Sequence, residues 1–146
     1  YGVDNEDSVF SGISNCDGIA LQDINIKLNS NELQYVIGGV GSGKSTLLLA
    51  LSGELAESSG KIERNYASIA YAPQEPWIMN GSVKANITMS LDFDENWYNT
   101  VVSACCLTAD FERFRHGDET IVGDRGAQCS GGQRARIGLA RAFYAD

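Results

Sequence analysis

The sequence predicts an α/β fold in which a β-rich first half passes through a glycine loop into a helical second half. Three observations carry this expectation. Ile24, Ile26 and Leu28 alternate with polar residues at the period of a half-buried strand. After the turn-rich NSNE, the run LQYVIG continues as a second, more apolar strand that leads straight into glycines. The segment STLLLALSG beyond them has helical composition and closes at Gly53, a residue suited to the position after a helix C-terminus. Short β-like runs follow at KIER and SIAYA, and Pro73 and Pro76 punctuate the chain around Gln74. From there the pattern turns helical. Asp94 can cap a helix with Trp97, Val101 and Ala104 or Cys105 on one face, and ADFERF and GQRARIGLARAFY have helical patterns too. There are no internal repeats and no low-complexity linkers.

At 146 residues the chain is about one domain long. It begins on Tyr1 with no targeting pattern, so it is expected to be a piece of a longer protein. Eleven Lys and Arg against 19 Asp and Glu give a net charge of −8, which repels a phosphate backbone and disfavours nucleic acid as a partner. The longest apolar run, LLLAL, falls far short of the roughly 18 residues of a membrane span, so any membrane link must come through another segment or a partner. Cys16, Cys105, Cys106 and Cys129 have neither zinc-site spacing nor the density of a disulfide scaffold, as expected of reduced thiols. The sequons at Asn80 and Asn86 are expected to be silent, because nothing else here supports export.

The segment GGVGSGKS, residues 38–45, fits G-x-x-x-x-G-K-[ST] between an expected strand and an expected helix. Glycines let successive backbone N–H groups of Gly38, Gly39, Val40, Gly41, Ser42 and Gly43 turn toward a polyphosphate, and the helix start adds partial positive charge. Lys44 would reach the β- and γ-phosphates, the Ser45 hydroxyl would hold Mg²⁺, and Thr46 would reach a more proximal phosphate. Mg-nucleotide binding follows; the motif alone does not choose among kinases, GTPases and motor ATPases. Near the end of the chain, Ser130 followed three residues later by Gln133 has capping-box spacing. Gly131 and Gly132 between them leave N–H donors bare at a positive helix end.

These segments together resemble a known family. YAPQEPW, with Gln74 thirty residues beyond Lys44, and CSGGQRARIGLARA, with Ser130 another 56 on, are similar to the Q-loop and signature motif of an ATP-binding-cassette (ABC) ATPase. GGVGSGKSTLL, APQEPWIMNGSVKANI, ACCL and HGDETIVGDRG further resemble subfamily C, the multidrug-resistance-associated exporters, and the first of their two nucleotide-binding domains. The resemblance implies a P-loop NTPase fold. Residues 1–73 would form an antiparallel β subdomain and phosphate-loop core of RecA type, residues 74–129 a helical subdomain, and residues 130–146 the signature helix. It also implies that Gln74 is catalytic beside Lys44, reaching Mg²⁺ and the attacking water. Ser130, Gly131, Gly132 and Gln133 would contact the γ-phosphate of ATP held by a second, facing domain of the same polypeptide. The stretch from Gln74 to Trp77 would meet the transmembrane domains at the cytoplasmic face of a membrane, where ATP drives export. A non-hydrolysing regulatory domain and a soluble ABC ATPase are the competing readings.

Some residues depart from the family pattern. Cys129 stands where leucine is usual, small enough to pack in its place, and Gln34 interrupts the strand before the loop. Phe10 is the candidate to stack on adenine, with Tyr1 in reserve. His116, among the charges of RHGDE, is expected to be an exposed loop residue. The Walker B strand with its acidic pair, the D-loop and the switch histidine are expected after Asp146. The fold is therefore expected to be incomplete at its C-terminus and the chain alone to be without ATPase activity.

Overall fold

In the computed structural model the described residues are 21–29, 32–56, 59–66, 68–124 and 128–145. They fall in two units, Tyr1–Asn65 and Tyr66–Asp146. Tyr1, Phe10 and Cys16 lie outside the described residues.

In the first unit, helix α1 runs over Lys44–Ser52 between two left-handed glycines, Gly43 at φ 88° and Gly53 at φ 87°. A side chain is strained at such angles, so glycine sets both ends. The Gly53 N–H closes onto Ala50 and Leu49. Arg64 donates to the carbonyls of Leu51 (3.0 Å) and Ala50 (2.6 Å), which satisfies last-turn acceptors and sets a cation at the negative helix end. The expected helix and its stop are thus present.

The expected strands are not. Around Ile24 to Leu28, and in LQYVIG, KIER and SIAYA, the described residues form no ladder. Leu33, Tyr35 and Ile37 are 77%, 77% and 88% exposed. Strand propensity measures fit to a half-buried pleated surface, and although Ile24, Ile26 and Ile62 are half-buried, these segments have no paired strand among the described residues. The two strands that do form among the described residues lie in the second unit: β1, Gly81–Ser82, pairs antiparallel with β2, Ile121–Val122, in the register Gly81 to Val122 and Ser82 to Ile121.

The second unit is built on helices. Ser82 caps α2, Val83–Thr88, by accepting from the Ala85 N–H. Asp94 caps α3, Glu95–Ala104, by accepting from the Trp97 N–H at 2.9 Å, as the sequence predicted. The buried face of α3 is Tyr98, Val101, Val102 and the following Cys105, so Val101 and Cys105 lie inward as expected while Trp97, 40% exposed, yields its place to Tyr98. Tyr98 wins the inward place because its ring packs edge-on against Tyr144 while its hydroxyl donates to Asp118 at 3.0 Å, so burial leaves no polar atom stranded. Helix α4, Thr108–Arg113, and a 3₁₀ turn, Gly117–Glu119, follow.

Helix α5, Gly131–Tyr144, packs against α2 and α3. It buries Ile137, Ala140 and Tyr144, spaced three and four apart along one stripe. They join Val83, Ile87, Val101, Leu107 and Val122 in one core, with Cys129 partly buried against it as expected. Each fully buried aliphatic there contributes about 1.5–3 kcal/mol of transfer free energy. The Tyr144 hydroxyl donates to the Asp92 carbonyl and accepts from the Asp94 N–H, both at 2.9 Å, so the far end of α5 is tied to the start of α3. Asn86 is fully buried. Its amide donates to the carbonyls of Met79 and Ser82 and accepts from the Met79 N–H. That engagement leaves no room for a glycan, in keeping with a silent sequon at this position.

Candidate functional site

The phosphate-loop segment belongs to the first unit. Gly41 at φ 79° and Gly43 at φ 88° give it two left-handed turns. A Cβ on Gly38 would stand 2.7 Å from the Ser42 Oγ, so a side chain there would force that hydroxyl to move. No side chain caps α1, so its first turn opens toward the loop with its amide donors. Lys44 Nζ donates to the carbonyls of Gly38 (2.9 Å) and Gly39 (2.7 Å), which holds the ammonium over the loop rather than out in solvent. Ser45 is exposed, Thr46 half-buried and Val40 fully exposed. An uncapped helix start, left-handed glycine turns and a cation over them make an anion cradle.

The signature segment belongs to the second unit. Ser130 accepts from the Gln133 N–H at 3.3 Å and Gln133 Oε1 accepts from the Ser130 N–H at 2.9 Å, so the capping box is complete. Gln133 Nε2 donates to Asp110 Oδ1 at 3.3 Å. Arg136 then clamps the same carboxylate through Nε to Oδ2 at 2.7 Å and Nη2 to Oδ1 at 2.9 Å. Asp110 is buried, at 3% exposure. Its hydrogen bond from Arg136 holds the carboxyl below the usual range against the opposing effect of burial, and Gln133 adds to the lowering.

Gln74, Glu75 and Pro76 line an open groove together with Gly131 and Arg134. The Q-loop segment and the signature therefore meet within one unit. Close packing brings this about: a Cβ on Gly138 would stand 2.5 Å from Pro76 Cβ, so glycine at that place lets buried Pro76 rest directly on α5. Next to it, the Arg141 guanidinium stacks 3.9 Å from the Trp77 ring centre and donates to the Asn86 carbonyl at 2.8 Å and the Trp77 carbonyl at 3.2 Å. Desolvation there lowers the Arg141 pKa from its usual value. Trp77 itself is 52% exposed.

A family model described as ABC transporter matches residues 21–146. The chain belongs to the ABC transporter family. It is 47% identical over 124 residues to the ATP-binding cassette transporter abc2 of Schizosaccharomyces pombe, covering 85% of this chain and 8% of that protein. The multidrug resistance protein mrp-7 of Caenorhabditis elegans is likewise 47% identical over 124 residues, with the same 85% and 8% coverage. The ATP-binding cassette sub-family C member 4 of Mus musculus is 43% identical over 130 residues, covering 89% of this chain and 10% of that protein. The last of these is by name a sub-family C member, the group that the motifs resembled. The chain spans a tenth or less of the length of these relatives.

Seen as an ABC transporter segment, the sequence-predicted residues divide cleanly. Residues 38–46 lie in the first unit, while Gln74 and residues 130–133 share the second. Phe10 and Tyr1 are outside the described residues. His116 is exposed and donates its backbone N–H to Thr120 Oγ1, in keeping with a loop role. Sequence reasoning missed Asp110, Arg136, Gly138 and Arg141. Asp110 and Arg136 lie 26 positions apart, and neither has a local pattern that marks it. The one available signal was Gly138, a glycine in the middle of a helical pattern, which usually has a packing reason.

Proposed function

We propose that this chain is the ATP-binding part of an ABC exporter that couples ATP binding and hydrolysis to transport across a membrane, and that it is part of the first nucleotide-binding domain. Its fold would be a RecA-like core with an antiparallel β subdomain and a helical subdomain, at the cytoplasmic face. Residues 38–46 hold the phosphates of one ATP. Lys44 supplies the charge on the β- and γ-phosphates, and Ser45 with Gln74 would hold Mg²⁺. Mg²⁺ held there would offset the negative charge of the phosphates. The cradle fits such a group, since the left-handed turns at Gly41 and Gly43 favour glycine and its helix start is uncapped.

One observation carries the partner half of this reading. A Cβ added to Gly131 meets nothing within 4 Å, and one added to Gly132 meets only the Arg136 guanidinium, at 3.3 Å. Glycine in a helix costs about 0.5–1 kcal/mol relative to alanine. Gly138, inside the helix, repays that cost by packing on Pro76, whereas at Gly131 and Gly132, in the first turn, no contact or backbone angle among the described residues calls for glycine. Their bare N–H groups at a positive helix end suit an anion brought from outside the chain, the γ-phosphate of ATP on a facing domain. The stretch from Gln74 to Trp77 would meet the transmembrane domains. In the full-length protein, Lys44→Ala is expected to abolish labelling by an ATP photoaffinity analogue. Undiminished labelling of a folded variant overturns the cradle assignment.

A further inference from the structure

We propose that Asp110 is a positioning residue for the signature segment, holding the Gln133 amide so that the donors of the α5 start stay aimed outward. The inference rests on the reading of residues 130–133 as the contact for a facing nucleotide.

The contacts form a chain with a direction. Arg136 grips both oxygens of Asp110, at 2.7 and 2.9 Å, so the carboxylate cannot rotate. Asp110 in turn accepts from Gln133 Nε2 at 3.3 Å. That bond decides which end of the Gln133 amide is nitrogen and presents the oxygen to the Ser130 N–H at 2.9 Å. Without Asp110 the amide has one fixed end. It is then free to leave Ser130 and turn toward the space beside Gly132, where an incoming phosphate needs room and donors. The position of Asp110 is equally suggestive. A carboxylate beside a phosphate-receiving helix start would repel the ligand, yet this one is 3% exposed and neutralised by Arg136, so its geometry is used while its charge is screened. Helix α4, Thr108–Arg113, is short and the contact bridges it to α5, so the capping box is set by tertiary structure and not by α5 alone.

A capping box needs no third residue to stabilise a helix, so a merely structural Asp110 would affect stability and leave the coupling to Gln133 at zero. The test is a double-mutant cycle on ATP turnover in the full-length protein, with Asp110→Ala, Gln133→Ala and the double variant. Asp110→Asn, which keeps shape and one acceptor for Gln133, serves as the milder partner if the alanine variant does not fold. A misplaced contact of this kind costs about 10–100-fold in turnover. We expect a loss in that range for Asp110→Ala, a smaller one for Asp110→Asn, and retained ATP labelling at the Lys44 site for both. In the Gln133→Ala background, the same changes should alter turnover by less than about twofold. Equal losses in both backgrounds, or no loss in the parent protein, overturn the proposal. Turnover that survives Gly132→Asp instead brings down the parent reading, so the two failures are distinguishable.

Discussion

Asp110 shows how one residue links fold and site through its charge. Its folded pKa is lowered by Arg136 and Gln133, so the carboxylate contributes stability that is fully present above its unfolded value of about 3.9. That contribution is lost as pH falls through the lower, folded value. Urea unfolding of the full-length protein between about pH 5 and pH 3 should therefore show a steeper loss of stability for the parent than for Asp110→Asn, which carries no titrating group there. Parallel slopes would mean that the ion pair is not formed in solution. Tyr98 is a second buried titratable group. Burial first, and then the Asp118 carboxylate, push its phenol well above the ordinary range, so it stays a neutral hydrogen-bond donor at any working pH. Cys105 and Cys129 are likewise pushed up, chiefly by burial, which keeps them protonated and poorly nucleophilic, consistent with thiols used for packing.

At the scale of elements, α5 does two jobs with two kinds of glycine. Gly138 is needed inside the chain, because Ala there would drive its Cβ to 2.5 and 2.8 Å from the Pro76 ring, which is fixed to the backbone and cannot swing away. Gly138→Ala is expected to destabilise by about 1–3 kcal/mol, the usual cost of overpacking, and to displace the Gln74 side of the groove. Gly131→Ala has open space at the first helical position, so it is expected to change stability by less than about 0.5 kcal/mol while lowering ATP turnover. Thermal unfolding and turnover measured on both variants test this contrast. A stabilising Gly138→Ala, or a Gly131→Ala with full turnover, would contradict it. The elements also show why some of the fold was legible in the sequence and some was not. Helix α1 is bounded by glycines and α3 begins at Asp94, both local signals, and both were read correctly. The exposed runs at Leu33 to Ile37 have strand composition, but a strand is completed by its neighbours and those are not determined by the run itself. On the buried face of α3 one residue was misread, because Trp97 and Tyr98 are equally aromatic. What separates them is the Asp118 carboxylate twenty residues away.

For the whole molecule, the glycine loop at residues 38–45 and the helix start at Ser130 were legible from their own spacing, and the Gln74 loop from its resemblance to a family motif. Their support was not legible. The Asp110 clamp, the Pro76 contact with Gly138 and the Arg141 stack on Trp77 all join positions brought together only by the packing of α5. The central claim concerns two sites with separate tasks: Lys44 holds one ATP, and the Ser130 helix acts on another held by a facing domain. Gly132→Asp separates these tasks. Within the chain the new carboxylate would stand beside the Arg136 guanidinium, 3.3 Å from the Cβ position and opposite in charge, so the fold can accommodate it, but its charge and bulk would oppose an incoming γ-phosphate. The most direct measurement is ATP turnover and photoaffinity labelling side by side on full-length Gly132→Asp and Lys44→Ala. The account predicts that Gly132→Asp suppresses turnover and leaves labelling at the Lys44 site intact, while Lys44→Ala removes that labelling. Loss of Lys44-site labelling in a correctly folded Gly132→Asp protein would contradict it.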